Sequence, residues 1–437
     1  MNWKKLYKEK RTSAEEAIKA IHNKNRVVFA HAAGVPREIP QALVAHADNY
    51  QDVEIYHMLC LGDGNYMQEK LECHFRHNTN FVGANSRLAV EKDRADFLPC
   101  FFHELPFFFQ NGILPVDVAV VHLSPPDKNG FCSFGVSSDY TKPAAEAARI
   151  VIAEINEQMP QVGGDNFIHI SKLDYIVETS LPLFELPTPK IGEVEQAIGQ
   201  HCASLIEDGS TLQLGIGAIP DAVLQCLKNK KDLGIHTEMF SDGVVDLVEQ
   251  GIINGRRKTL HPGKLVATFL MGSKRLYDFA DKNPNVELYP VNYVNNPRVI
   301  CQNNQMVSIN SCIEVDLSGQ VGSECIGSKQ FSGVGGQVDY VRGTAMSEKG
   351  ISIMAIPSTA AKGKTSRIVP FLAPGAAVST SRNDVDYVIT EYGIASLKGK
   401  TLRQRAESLI RIAHPDFREV LTEEFFRRFP RIKKSII

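Results

Sequence analysis

RVVFAHAAGVPREIPQALV at residues 26–44 and STLQLGIGAIPDAVLQCL at residues 210–227 share one pattern. Each is a short apolar run, a loop of small residues, a proline and then an amphipathic stretch. An apolar run bounded by small residues reads as a buried strand, and a proline at the start of the next periodic stretch reads as the first turn of a helix. The same strand–loop–helix unit therefore occurs twice. Two further pairs follow in order. VEIYHMLCLGDG (53–64) matches LGIHTEMFSDG (233–243), and aligning the isoleucines puts Met58 opposite Glu238. LSPPDKNGF (123–131) matches IEVDLSGQV (313–321), an apolar run closing in an Asp-x-x-Gly turn. A repeated scaffold with a carboxylate beside the glycine loop in one copy only points to where the chemistry sits.

Outward from these repeats, short strands rich in Val and Ile alternate with helical segments. That alternation predicts an α/β protein of two similar open-sheet domains with largely parallel strands, arising from an internal duplication. TSLPLFELPTPKIGE (179–193) is broken by Pro182, Pro187 and Pro189 and reads as the linker, giving domains at 1–185 and 186–437. GEVEQAIGQHCASLIEDGS then opens the second domain as a helix, with Gly209 as its stop. FRRFPRIKKSII (426–437) reads as a basic tail.

Of 437 residues, 43% are hydrophobic and 22% charged, and the net charge is −2. Neither nucleic acid nor an acidic membrane is an expected partner. Nine dispersed cysteines without a C-x-x-C pair fit thiols in a reducing compartment, not disulfides or zinc. The histidines form no ligand cluster, so no metal site is expected. No apolar run approaches the roughly 20 residues of a membrane span, and the charged start lacks a secretory leader. The expectation is a cytoplasmic protein.

Three motifs can carry chemistry. In QLGIGAIPDAV (213–223) a strand enters Gly215-Ile216-Gly217 and then a helix whose first turn holds Pro220 and Asp221. Backbone amides there can approach a phosphate or thioester oxygen; a plain strand–helix turn is the bland reading. Glu238 stands at the end of the apolar strand LGIH, where ligands bind in open α/β sheets, and can serve as base or nucleophile. Asp242 beside it reads as the cap of the following helix. In QFSGVGGQVDYVRG (330–343), a glycine loop before an apolar-alternating run offers bare N–H groups, as an oxyanion hole requires; a bulge or hairpin is the alternative.

LGIGAIPDAV, TEMFSDGVVDL, KQFSGVGGQVDYVRG, TEYGIASLKGKTLRQRA and IAHPDFRE, in that order, resemble the acetyl-CoA hydrolase/transferase branch of the family I CoA-transferases, along essentially the whole chain. The resemblance implies exchange of coenzyme A between a short-chain acyl-CoA and a carboxylic acid, 4-hydroxybutyrate or butyrate against acetate, by a ping-pong route through a glutamyl-CoA thioester on Glu238. It implies CoA contacts at Gly215, Ile216, Gly217, Ala218, Ile219, Ile313, Gly336 and Lys362. It gives Gly336 an oxyanion role, shared with Asn296 or, one residue earlier, Asn295. It further implies coenzyme A as substrate with no permanently bound cofactor, a homodimer, and an active site in the cleft between the two domains. The first domain would shape the acyl pocket, with HAAGVP (31–36), LGDGNY (61–66) and FFHELPFFF (101–109) as candidate walls. Hydrolysis of acyl-CoA on the same scaffold, and CoA binding without catalysis, are the competing functions.

Overall fold

A computed structural model of the chain describes residues 2–431. Two compact units form. One comprises Met1–Pro187, Glu238–Asp242 and Lys264–Asn296; the other comprises Thr188–Thr237, Gly243–Gly263 and Pro297–Ile437.

The first unit is built on seven strands: β1 (Arg26–Phe29), β2 (Val53–Tyr56), β3 (Phe75–Thr79), β4 (Ala95–Phe97), β5 (Val118–Leu123), β6 (Ile150–Asn156) and β7 (Tyr175–Thr179). Their order is β7-β6-β5-β1-β2-β3-β4, and every pair is parallel. A parallel sheet is covered on both faces, which is why β5 (VAVVHL) is buried at every position. Side chains alternate between the faces. Val28 and Tyr56 join Met58, Phe102, Tyr140, Met239 and Phe269 on one. Val27, Phe29 and Ile55 join Ile39, Leu43 and Tyr66 on the other, the face covered by helix α1 (Glu38–Ala45). The aromatic run at 101–109 is mainly core: Phe102, Leu105 and Phe109 are buried and Phe107 is exposed.

The second unit repeats the design. Strands β8 (Thr211–Leu214), β9 (Gly234–His236), β10 (Met306–Asn310), β11 (Ile351–Ala355) and β12 (Tyr387–Thr390) lie in the order β12-β11-β10-β8-β9, all parallel. This is the order β7-β6-β5-β1-β2 over again. Helix α2 (Ala218–Cys226) follows β8 as α1 follows β1, and α3 (Gln337–Met346) leads into β11. The duplication extends to single hydrogen bonds. Asp127 Oδ1 accepts from the amides of Asn129 and Phe131 at 2.8 and 2.9 Å, with Gly130 at φ +89°. Asp316 Oδ1 accepts from those of Ser318 and Gln320 at 2.8 and 3.0 Å, with Gly319 at φ +91°.

Several local expectations change. The helix opening the second half, Glu193–Ser204, ends before Gly209, which instead takes φ +81° in the loop ahead of β8. QVDYVRG is helical within α3. Because Gln337 to Val341, Gly343 and Thr344 are all buried, the sequence shows no polar stripe to betray the helical period. Asp242 is the first residue of helix Asp242–Glu249, and its carboxylate accepts from Ser273 N at 2.8 Å and from the Ser273 hydroxyl at 2.5 Å. Helix Pro415–Arg428 runs into the basic stretch at the C-terminus, whose residues 432–437 lie outside those described.

Candidate active site

Glu238 lies two residues past His236, the last residue of β9, and directly precedes the short strand Met239–Phe240, paired in parallel with Phe269–Leu270. Its carbonyl accepts from the amides of Thr268 and Phe269 at 2.9 and 3.2 Å, so its backbone is fixed on both sides. Its carboxylate accepts from Asn295 Nδ2 at 2.7 Å. Asn295 is fully buried at the end of helix Val291–Val294 and is held there by its amide on Val291 O at 3.0 Å.

The sequence reading preferred Asn296, with Asn295 as the alternative. Asn296 is half-buried, and its side-chain amide donates to Asn292 O at 3.4 Å. On a helix end, consecutive residues point about 100° apart, so the two asparagines face different directions. An asparagine N–H₂ beside a carboxylate nucleophile can donate to a developing oxyanion as well as to the carboxylate itself.

A second buried group lies one hydrogen bond from this segment. The amides of Ser138 and Asp139 donate to Thr268 O at 3.1 and 3.2 Å, and Val291 N donates to Asp139 O at 3.1 Å. The Asp139 carboxylate accepts from the Ser137 hydroxyl, from Thr141 N (3.0 Å) and Thr141 Oγ1 (2.9 Å), and pairs with His31 Nδ1 at 3.0 Å. Burial works against its ionisation, yet His31 and the hydrogen bonds hold its pKa below the ordinary value. The His31 ring stands edge-on to Phe269 at 4.7 Å. Sequence reading placed His31 only in a pocket-wall segment and passed over Asp139, because a His–Asp pair 108 residues apart leaves no spacing signal.

Met58, the counterpart of Glu238, is 4% exposed and packs in the same apolar cluster as Met239 and Phe269. Its amide donates to the Tyr140 hydroxyl at 3.2 Å and its carbonyl accepts from Thr79 Oγ1 at 2.7 Å. It is a core residue.

In the second unit the expected CoA-contacting residues gather at one edge of the parallel sheet. Gly215 follows the last residue of β8, Ile313 lies three residues past the end of β10, and Lys362 lies beyond β11. Gly336 is the N-cap of α3, the helix that returns into β11, so it too starts from the carboxyl edge. Gly217 takes φ +112° and ψ −176°, a conformation that side chains other than hydrogen rarely adopt, and a Cβ built there would meet nothing within 4 Å. That leaves the loop open on one side, with the first amides of α2 uncapped by any side chain. Ile216 is 43% exposed, whereas Ile219 is buried. Ile313 is half-buried with its amide on Gly322 O at 2.8 Å, so its side chain, not its N–H, is what it can offer a ligand. Lys362 is exposed at φ +59° on the turn between Thr359–Ala360 and Thr365–Ser366. The structure thus joins Glu238 to Asn295, and places Gly215–Ile219, Ile313, Gly336 and Lys362 at one sheet edge of the other unit.

The N-terminal domain model of acetyl-CoA hydrolase/transferase matches residues 1–183, and the C-terminal domain model of the same family matches residues 272–425. The chain belongs to the acetyl-CoA hydrolase/transferase family. Over 429 residues it is 63% identical to the 4-hydroxybutyrate coenzyme A transferase of Clostridium kluyveri, covering 98% of this chain and 100% of that one. It is 46% identical to the succinyl-CoA:cyclohexane-1-carboxylate CoA transferase of Geobacter metallireducens, covering 99% and 98%. The crystal structure of 4-hydroxybutyrate CoA-transferase from Porphyromonas gingivalis superposes with a TM-score of 0.86 at 50% identity, covering 98% and 100%. The protein is an enzyme of the CoA-transferase class. Among the described residues, no helix is long and apolar enough to cross a membrane.

Proposed function

We propose that the protein exchanges coenzyme A between acetyl-CoA and a short-chain carboxylic acid, with 4-hydroxybutyrate the first candidate and butyrate the second, through a thioester on Glu238. The hydrogen bond from Asn295 to the Glu238 carboxylate carries this reading. It sets a nucleophile and an amide donor together on buried, backbone-locked elements.

A Glu238 oxygen attacks the acyl carbonyl carbon; the C–S bond breaks and CoA leaves as thiolate, giving a mixed anhydride. The thiolate attacks the glutamyl carbonyl carbon, and the first acid leaves as carboxylate with the bridging oxygen. The acceptor carboxylate then attacks glutamyl-CoA and repeats both steps in reverse. No water is consumed, so the thioester's free energy passes to the product. Asn295 donates to the oxyanion of the addition steps, with the Gly336 N–H as second donor. The open Gly215–Ile219 loop and the α2 amides receive CoA oxygens, Ile313 packs against the carrier chain, and Lys362 meets a phosphate. Coenzyme A arrives as substrate, no other cofactor is held, and the enzyme works as a homodimer in the cytoplasm.

The test is a panel of acetyl-CoA and butyryl-CoA donors against acetate, butyrate, 4-hydroxybutyrate and succinate, following both new thioesters and free thiol. Thioester formation that depends on the added acid, fastest with 4-hydroxybutyrate, is expected. Thiol release indifferent to any carboxylate would replace the reading with hydrolysis.

A further inference from the structure

The first unit holds a cavity of about 270 Å³ between α1 and the segment after β2. Glu238, Asn295, His31, Met58 and Tyr140 take no part in its walls. Two of its wall residues, Phe29 and Tyr66, belong to the apolar cluster on the α1 face of the sheet, whereas Met58, Tyr140 and Met239 belong to the cluster on the opposite face. The β-sheet therefore stands between this cavity and the neighbours of Glu238. Val35, Pro36 and residues 61–66, from two segments that sequence reading took for acyl-pocket walls, line it instead.

Its lining combines an apolar wall with polar side chains, as small-molecule sites do, the polar ones being Arg37, Gln41, His57, Asp63, Asn65 and Tyr66. Phe29, Val44, Leu61 and Phe184 supply the apolar part. Arg37 is half-buried; its side chain donates to Pro182 O at 3.1 Å and lies over the Phe184 ring, 5.0 Å from the centroid. Among the described residues it pairs with no carboxylate, so most of its five N–H donors remain available. Asp63, the acidic residue of the lining, is exposed and its charge is screened by water. His57 is fully buried; Nδ1 lies 2.9 Å from the Tyr66 hydroxyl, while Nε2 has no hydrogen-bond partner among the described residues. Burial holds its pKa well below the ordinary value, so the ring is neutral. An orphaned buried nitrogen of this kind costs on the order of 1–3 kcal/mol until something pairs with it.

We propose that this cavity is a second ligand site, separate from the one containing Glu238, for a short-chain hydroxycarboxylate. Arg37 takes the carboxylate, the apolar wall takes the chain, and His57 Nε2 takes the hydroxyl. A charged head and one polar tail group, spaced by a few methylenes, match one guanidinium and one orphaned imidazole nitrogen joined by an apolar wall.

Cys60 also lines the cavity, and the exposed Cys73 serves as internal reference. The experiment uses the full-length Glu238→Ala chain without coenzyme A, so that neither turnover nor the thioester mechanism enters. Iodoacetamide labelling of both cysteines is followed by peptide mass spectrometry at rising 4-hydroxybutyrate. Cys60 labelling should slow by 1 + [L]/Kd, about elevenfold at roughly ten times Kd, while Cys73 labelling holds constant. Butyrate should need a higher concentration. Arg37→Gln and Val44→Phe, checked for unchanged thermal unfolding, should each abolish the protection. Unchanged Cys60 labelling at every 4-hydroxybutyrate concentration, or protection that survives both substitutions, would overturn the site. Equal protection by butyrate would overturn the role of His57.

Discussion

The two units start from the same strand, loop and helix, and they treat that helix's N-terminus in opposite ways. In the first, the amides of Arg37 and Ile39 donate to the buried Glu154 carboxylate at 2.8 and 2.7 Å. Glu154 lies four residues past Ile150, the first residue of β6. Four residues past Ile351, the first residue of β11 in the second unit, stands Ala355, wholly buried. The first unit thus supplies an internal carboxyl acceptor to a site that, among the described residues, has no side-chain cap in the second. A second asymmetry, between the two copies of the sequence repeat, lies within the first unit, where Met58 is core and Glu238 is paired with Asn295. Duplication provides two anion-receptive edges; a protein carboxyl group occupies one, and the proposed function assigns the other to coenzyme A.

The strongest way to break this comparison is at the nucleophile. Glu238→Ala should lower exchange by roughly 10⁴-fold or more, while Met58→Leu, a volume-conserving core change, should stay within about threefold, both read as kcat/KM for acyl transfer. Next comes the amide donor: Asn295→Ala should lower kcat by about 10²–10³-fold, and Asn296→Ala should leave it nearly unchanged. Equal losses in the two variants would return the role to Asn296.

Glu154 gives a pH signature. Burial raises its pKa from 4.5 to about 7, with the three α1 amides opposing the shift. The folded state therefore holds this proton more tightly than the unfolded chain does. Its contribution to stability is complete below about pH 4.5 and is lost as pH rises through about 7, by about 3 kcal/mol at most. Urea unfolding between those limits should show a negative slope in the wild type that flattens in Glu154→Gln. The smallest effect is expected at the open edge: Gly217→Ala, strained at φ +112°, should raise KM for acyl-CoA about tenfold with little change in kcat.

Much of this was legible in the sequence. The paired small-residue loops and the two Asp-x-x-Gly turns are local patterns and survive as matched elements of the two units, whereas Met58 and Glu238, paired in the sequence repeat, both fall in the first unit. The three misplaced features have physical reasons. The register of two adjacent asparagines is set by a helix end in YVNNPRV that no periodicity marks. The buried α3 has no polar face to reveal its period. His31–Asp139 and Glu154–Arg37 are pairings across more than a hundred residues, made where only the folded chain brings distant segments together. Likewise, Leu61–Tyr66 could be recognised from sequence as a loop near a pocket, but not on which face of the sheet that pocket opens.

The central claim is that one carboxylate per chain, in the second copy of the repeat, becomes thioester-linked to the sulfur of coenzyme A. Incubating the wild-type enzyme with acetyl-CoA, reducing with borohydride and mapping peptides by mass spectrometry tests it directly. The account predicts one modified residue per chain, Glu238 converted to its alcohol, and none in Glu238→Ala. Modification at any other carboxylate, or full exchange activity with Glu238 unmodified, would contradict it.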